Sequence, residues 1–223
     1  MTFSSDKTVS QMMTMLKYQQ ALNDVFDPKW RENRHQYLRA AVVEASEAIA
    51  HHGYKWWKKE EKDVQQLQLE VVDILHFYLS EVARVNLDNP EYAVKKAWLE
   101  DNPEINFDGK LYNVGSMALL DKIELIIGLA VSRRMSWTLF RSIMEGVDLS
   151  FSALHKMYAA KNVLNLLRQR HGDKEGTYIK IWDGEEDNVH LSKELEKWGE
   201  DETMDVLYER LESSYKSIAL GTI

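Results

Sequence analysis

The sequence predicts an all-α fold, a multi-helix bundle, and two observations favour this prediction. The 223 residues include only ten glycines and three prolines, so the residues that most often interrupt secondary structure are scarce. Apolar residues recur every three to four positions along most of the chain, whereas no segment alternates convincingly with a period of two. We therefore expect a single all-α domain over residues 1–223, with its motif-bearing core at about 10–190.

Three helices are predicted in the N-terminal half of the chain, at 10–26, 33–52 and 63–87. The first ends at Asp27, because the residue before a proline is disfavoured in the helical conformation. Gly53 stops the second helix, since glycine adopts the left-handed conformation of a helix C-terminus without strain. The third helix has a broad apolar face, and Glu70 and Asp73 are expected on the opposite, polar side.

The C-terminal half continues this helical pattern. Residues 86–108 contain two prolines and are predicted to form a short helix between loops. Further helices are predicted at 111–133, 136–155, 158–171 and 200–217. Ser136 can cap the second of these helices, and Gly172 ends the third. The segment from Gly172 to about residue 190 is expected to be irregular.

Composition and charge exclude several classes of protein. The chain has no cysteine, which excludes disulfides, iron–sulfur clusters and thiolate zinc sites and fits a reducing compartment. The net charge of −8 argues against a nucleic-acid partner or a basic membrane-binding surface. No secretory signal is visible, and the longest apolar-rich stretch, 117–131, is too short and too charged to span a bilayer. These features predict a cytoplasmic protein.

Two pairs of acidic residues share one spacing: Glu44 with Glu47, and Glu70 with Asp73. Residues three apart lie on the same side of a helix, so each pair projects two carboxylates from one face. Like charges at this spacing repel each other, and a bound divalent cation such as Mg²⁺, which prefers oxygen ligands, would reverse that effect. A single such pair is usually a solvated helix face, and periodicity alone does not separate the two interpretations. The presence of two pairs favours a metal site.

Polar residues also occupy an apolar helix stripe. Gln19 and Asn23 lie among the apolar positions of the first helix. Because a carboxamide buried without a partner costs about 1–3 kcal/mol, both should bind either the backbone or the edge of a planar polar ligand. Trp56 and Trp57 are expected in the core or as one wall of such a ligand pocket.

Residues 156–180 form a basic segment with six Lys or Arg and two acids. Lys161, Asn165 and Arg168 fall on one helix face, where the planar guanidinium group suits phosphate oxygens. The alternative is an ordinary solvated basic face. The acidic net charge therefore does not exclude a small anionic ligand.

A histidine follows the second acidic pair. Asp73-x-x-His76 would suit a di-iron bundle, but that chemistry generally needs a second Glu-x-x-His, and Ala50 stands three residues after Glu47. His76 is therefore expected as an interior histidine or as part of another kind of site.

Taken in order along the chain, these features resemble the dimeric dUTPases of the all-α nucleotide pyrophosphatase superfamily. The matching segments are 16–24, Glu44 to Glu47 with the trailing 55–58, 70–77, 161–169, 176–180 and 182–188. Each motif is weak alone, but the ordered series is specific. Two departures are Tyr54, where the family often has tryptophan, and the variable insert at 88–110, which matches no family motif.

The resemblance implies a homodimeric enzyme that hydrolyses dUTP to dUMP and pyrophosphate by attack of water on the α-phosphorus. It implies Mg²⁺, two or more ions per site, as the cofactor. The implied metal ligands are Glu44, Glu47, Glu70 and Asp73. One glutamate of the first pair, Glu47 as first choice or else Glu44, is expected to accept the proton of the water.

The resemblance also implies two further groups of site residues. The residues expected around the base and deoxyribose are Gln19, Asn23, Trp57, His76 and Asn165. The residues expected at the phosphates are Lys58, Lys161, Arg168, Tyr178 and Lys180, with Asp187 in support. The stretch 117–131 and its neighbouring helices are candidate dimer contacts.

Two alternatives stay open at this point. The first is a preference for dCTP or another nucleoside triphosphate, because the amides of Gln19 and Asn23 can rotate to suit either pyrimidine. A non-enzymatic helical interaction protein is the alternative of a different class. In such a protein the four acids could be neutralised singly without loss of function.

Overall fold

The computed structural model describes residues 5–199, 202–219 and 221. It confirms the all-α fold class: the described residues form nine α-helices and two very short two-stranded sheets. The helices are α1 (Asp6–Phe26), α2 (Tyr37–His52), α3 (Val64–Val85), α4 (Pro90–Leu99), α5 (Leu119–Val131), α6 (Trp137–Gly146), α7 (Phe151–Arg170), α8 (Asp187–Lys197) and α9 (Met204–Ser214).

Local sequence signals place several helix ends correctly. The α1 helix stops at Asp27, whose backbone is extended. Gly53 closes α2 with a φ of 75°, in the left-handed region that favours glycine. The side chain of Ser136 accepts a hydrogen bond from the Leu139 amide and so caps α6. These three boundaries depend on neighbours within four residues, which is why they can be read from the sequence.

A β-hairpin precedes α5 and corrects the predicted helix at 111–133. Strands β1 (Glu104–Phe107) and β2 (Lys110–Asn113) pair in antiparallel register, and a 3₁₀ turn at Val114–Ser116 leads into α5. Asp108 and Gly109 both have positive φ, at 51° and 73°, as a tight two-residue hairpin turn requires. The Asp-Gly dipeptide signals this hairpin, but four residues per strand are too few to show a clear period of two.

Two further boundaries differ from the prediction. The predicted helices at 136–155 and 158–171 are divided differently, because α6 already ends at Gly146 and α7 continues unbroken through Tyr158. Ser150 begins α7 by accepting a hydrogen bond from the Ala153 amide.

The segment expected to be irregular up to residue 190 contains the strands β3 (Ile181–Trp182) and β4 (Glu185–Glu186) and then α8, which begins at Asp187. The predicted start of the last helix, near Glu200, lies outside the described residues, and α9 begins at Met204.

The helices that surround the site are α1, α2, α3 and α7. The α3 helix contacts the other three, and α1 also packs on α7. Small residues of α2, at Ala41, Ala45 and Ala48, are buried and allow α2 to approach α3 closely. A second apolar cluster, which includes Leu164, joins the C-terminal part of α7 to α8 and α9. Within the described residues, no helix is both long enough and apolar enough to cross a membrane.

Candidate functional site

The two acidic pairs meet where α2 packs against α3. Carboxylate oxygens of Glu44, Glu47 and Glu70 all lie within 4.8 Å of one another. Asp73, the fourth predicted ligand, is outside this group of three, and its Oδ2 lies 2.8 Å from the Nζ of Lys161. The structure therefore brings three of the four acids together and pairs the fourth with a lysine of α7.

The position of Glu70 corrects the predicted polar side of α3. Glu70 is only 2% exposed, because the close approach of α2 covers that side of the helix. Glu44 is half-buried and Glu47 is exposed. His51, which the sequence analysis did not single out, places its Nε2 3.6 Å from a Glu70 carboxylate oxygen.

The electrostatics of the cluster favour a bound cation. Burial and the neighbouring Asp73 carboxylate raise the pKa of both Glu44 and Glu70 above their usual range. Carboxylates that are crowded and desolvated in this way hold a proton unless a cation replaces it. The donor set consists of carboxylate oxygens from two facing helices, which fits a hard divalent ion such as Mg²⁺.

A buried polar network lies beside the acidic cluster. The carboxamides of Gln19 and Asn23 are buried on α1, and Gln19 Nε2 donates to Asn23 Oδ1 over 2.9 Å. Gln19 Oε1 lies 2.6 Å from both His76 Nδ1 and the Tyr158 hydroxyl. Asn23 Nδ2 donates to Ser80 Oγ over 3.1 Å. These contacts are between side chains, so within the described part of the chain the two carboxamides bind other side chains and not the backbone groups that were one of the two expectations.

A cavity of about 530 Å³ is lined by residues of the network and by one acid of the cluster, Glu44. Its lining includes polar groups from α1, α3 and α7 together with apolar and aromatic side chains, which is typical of a small-molecule site. The predicted site residues that line it are Gln19, Asn23, Glu44, Asp73, His76, Asn165 and Arg168. The structure thus gathers residues of four separate sequence motifs around one space.

The basic side of the site is built on buried carboxylates. Arg168 makes two 2.8 Å hydrogen bonds to the carboxylate of the fully buried Asp187, and its third nitrogen donates to Asn165 Oδ1. The Tyr178 hydroxyl donates to the same carboxylate over 2.9 Å. Although burial acts in the opposite direction, the hydrogen bonds and charge of Arg168 hold the pKa of Asp187 below its usual value. Lys161 Nζ lies between Asp73 and Asn188 Oδ1.

Three predicted site residues lie outside the cavity lining, the acidic cluster and the basic side of the site. Trp57 is 58% exposed beside the 90% exposed Trp56, and the two rings meet edge to face. Lys58 and Lys180 are also exposed; Lys58 pairs with the partly buried Glu60 at 3.6 Å, and Lys180 pairs with the exposed Glu186 at 3.1 Å. The structure does not bring these three side chains to the other site residues.

Some residues of the network were missed by the sequence analysis. Ser80 stands four residues after His76, on the same face of α3, and this spacing is a local signal that would have found it. Tyr158 contacts Gln19 across a separation of 139 residues, and no local pattern marks it.

Comparisons with known proteins agree with this arrangement. A sequence profile of the dUTPase family matches residues 11–172, which covers most of the chain and includes α2, α3 and α7. No curated protein sequence matches the chain. The matched region contains both acidic pairs, the carboxamides and the basic face of α7. The chain therefore belongs to the dUTPase family and is a dUTP diphosphatase.

Proposed function

We propose that the protein hydrolyses dUTP to dUMP and pyrophosphate with Mg²⁺ held by Glu44, Glu47 and Glu70, and by Asp73 once substrate is bound. The observation that supports this proposal is the meeting of three carboxylates within 4.8 Å, one of which, Glu44, lines a cavity of about 530 Å³ together with Asp73. A cavity of this size accommodates a nucleotide, and the acids of the cluster are the ligand type that Mg²⁺ shares with phosphates.

The metal would supply positive charge to the triphosphate oxygens and would acidify water. The residues of the chain perform the remaining tasks. Glu47 is the exposed acid of the cluster, so it is the carboxylate best placed to accept a proton from the attacking water. Water then forms a bond to the α-phosphorus as the bond to the bridging oxygen breaks, and pyrophosphate leaves.

The proposed substrate contacts follow the lining of the cavity. Gln19, Asn23, His76 and Asn165 would bind the base and sugar, and Arg168 would bind phosphate oxygens with its orientation fixed by Asp187. Lys161 and Tyr178 would bind phosphate oxygens next to Arg168. A role for Trp57, Lys58 and Lys180 would require the exposed segments that carry them to approach the cavity when substrate binds.

A homodimer, on the strength of the family resemblance, and a cytoplasmic location, on the sequence features given above, complete the proposal. The α5 helix, within the predicted contact region 117–131, is the candidate interface. Light scattering coupled to size-exclusion chromatography measures the mass in solution. A mass of twice 26.1 kDa supports the homodimer, and a monomer at working concentrations contradicts it.

The proposed function predicts strict dependence on Mg²⁺ and a preference for dUTP. Pyrophosphate release from dUTP, dCTP, dTTP and UTP should be measured with the wild-type protein in Mg²⁺, in excess EDTA, and after Mg²⁺ is restored. We expect activity with dUTP in Mg²⁺, at least about 100-fold less in EDTA, and recovery on restoring the metal, because the acids would otherwise repel the triphosphate. Full activity in EDTA would contradict the metal site, and a preference for dCTP would change the substrate while keeping the mechanism.

A further inference from the structure

The hydrogen bonds of the buried network around Gln19 run in one donor-to-acceptor direction, and Tyr158 sets that direction. Tyr158 is fully buried, and burial raises the pKa of its hydroxyl well above the usual value, so the phenol keeps its proton. That single hydrogen is donated to Gln19 over 2.6 Å. Because the phenol donates, the atom of the Gln19 amide that faces it must be the oxygen and not the nitrogen.

The opposite end of the network requires the same direction. Ser80 Oγ donates its one hydrogen to the His76 carbonyl over 2.9 Å, and a carbonyl can only accept. The Ser80 oxygen is therefore an acceptor toward Asn23, whose Nδ2 lies 3.1 Å away, closer than its Oδ1 at 3.3 Å. Asn23 Oδ1 then accepts from Gln19 Nε2, which again leaves Gln19 Oε1 directed at Tyr158 and His76.

This direction determines the tautomer of His76. Gln19 Oε1 lies 2.6 Å from His76 Nδ1, and an amide oxygen only accepts, so Nδ1 carries the ring hydrogen. Complete burial lowers the pKa of His76 to about 4, so the ring is neutral at pH 7. His76 Nε2 is therefore a bare acceptor, and it is buried without a hydrogen-bond partner among the described residues. The same histidine lines the cavity and stacks on Tyr158 with ring centres 3.9 Å apart.

We propose that Tyr158 is a positioning residue that fixes the Nδ1–H tautomer of His76 through Gln19, and that the bare Nε2 accepts a hydrogen bond from the substrate. This inference rests on the proposed function only in placing a nucleoside in the cavity. A buried acceptor without a partner favours a ligand that brings a donor. A nucleoside offers two such donors, the imide N–H of uracil, which cytosine lacks, and the sugar hydroxyl.

The tautomer can be measured without any assay of activity. Histidine-labelled wild-type protein should be compared with the His76→Gln variant, to assign the ring signals, in long-range ¹H–¹⁵N spectra at pH 7. We expect His76 Nδ1 to have the chemical shift of a protonated nitrogen and Nε2 that of an unprotonated one. An Nε2–H tautomer or a charged ring would overturn the proposal, whether or not the protein hydrolyses dUTP.

The Tyr158→Phe variant tests the role of the phenol, with Tyr208→Phe as a matched control whose hydroxyl contacts Glu212 outside the network. Without the phenol hydrogen, the Gln19 amide can flip, and we expect both His76 tautomers in the NMR spectrum. Two ratios are measured: kcat/KM for dUTP divided by that for dCTP, and kcat/KM for dUTP divided by that for its 2′,3′-dideoxy analogue. We expect at least one of them to fall by about tenfold or more. The control should change neither ratio.

The two nucleotide arms identify the donor. A fall confined to the dCTP ratio assigns Nε2 to the imide N–H, and a fall confined to the dideoxy ratio assigns it to the hydroxyl. If Tyr158→Phe leaves both ratios and the tautomer unchanged, the positioning role is wrong. Should that variant fail to fold, Ser80→Ala removes the anchor at the other end of the network, and the wild-type spectrum still decides the tautomer. A correct tautomer in a protein inactive on all nucleotides would contradict the proposed function and the substrate contact of Nε2, and the positioning role of Tyr158 would stand.

Discussion

Replacement of Glu47 by glutamine is expected to lower kcat for dUTP hydrolysis by about 10²–10⁴-fold, the usual contribution of a general base. Glu47 is the exposed member of a cluster whose carboxylate oxygens lie within 4.8 Å of one another. The amide has nearly the same shape as the carboxylate, but it cannot accept the proton of water and is a weaker ligand for Mg²⁺. Because the side chain is exposed, we expect the stability of the fold to change little.

The measurement is pyrophosphate release at saturating dUTP and Mg²⁺, together with the melting temperature of each protein. Glu209→Gln is the matched control, since Glu209 is an exposed acid of α9 outside the acidic cluster. The control should retain wild-type activity. Turnover by Glu47→Gln within about threefold of the wild type, far below the general-base contribution, would contradict both the proton acceptor and the metal site.

Replacement of Lys161 by methionine is expected to destabilise the metal-free protein by about 3–5 kcal/mol, as is usual when one partner of a buried ion pair is removed. Lys161 is only 1% exposed, and its Nζ lies 2.8 Å from Asp73 Oδ2 and 2.9 Å from Asn188 Oδ1. Methionine keeps much of the side-chain volume but removes the charge. Asp73 would then be left next to Glu44 and Glu70 without its cation.

Urea denaturation in EDTA and in Mg²⁺ measures this effect. The matched control is Lys193→Met, because the ion pair of Lys193 with Glu185 is about half exposed and such pairs usually contribute less than about 1 kcal/mol. We expect Mg²⁺ to stabilise Lys161→Met more than the wild type, since a bound cation would replace the missing charge near Asp73. A loss below about 1 kcal/mol in EDTA would show that the lysine is not needed to balance the acids.

Helix existence and several helix ends were predictable because they depend on residues close in the sequence. Ser136 caps α6 with a hydrogen bond to an amide three residues away, and Gly53 closes α2 through its own φ angle. The hairpin turn at Asp108 and Gly109 was equally local, but its strands are too short to reveal a period of two. The boundary between α6 and α7, just before Ser150, was not predicted, because apolar residues recur at helical spacing on both sides of it.

The candidate site was predictable only in part, for a similar reason. Spacing alone placed Glu44 and Glu47 on one helix face, because residues three apart on a helix share a face in any fold. Spacing did not show that Glu70 is buried, since its burial depends on the packing of α2 against α3. It also gave no indication that Trp57 would lie exposed, outside the cavity lining.

The sequence by itself determined the fold class, the acidic pairs and the family, because each is written in short-range patterns and their order along the chain. Only the tertiary structure decided which charges and hydrogen bonds meet. Asp73 is balanced by Lys161 of another helix, and the direction of the Gln19 amide is set by a tyrosine 139 residues away. Electrostatic and hydrogen-bond partners are chosen by distance in space, and packing of α1, α3 and α7 is what brings these residues within reach.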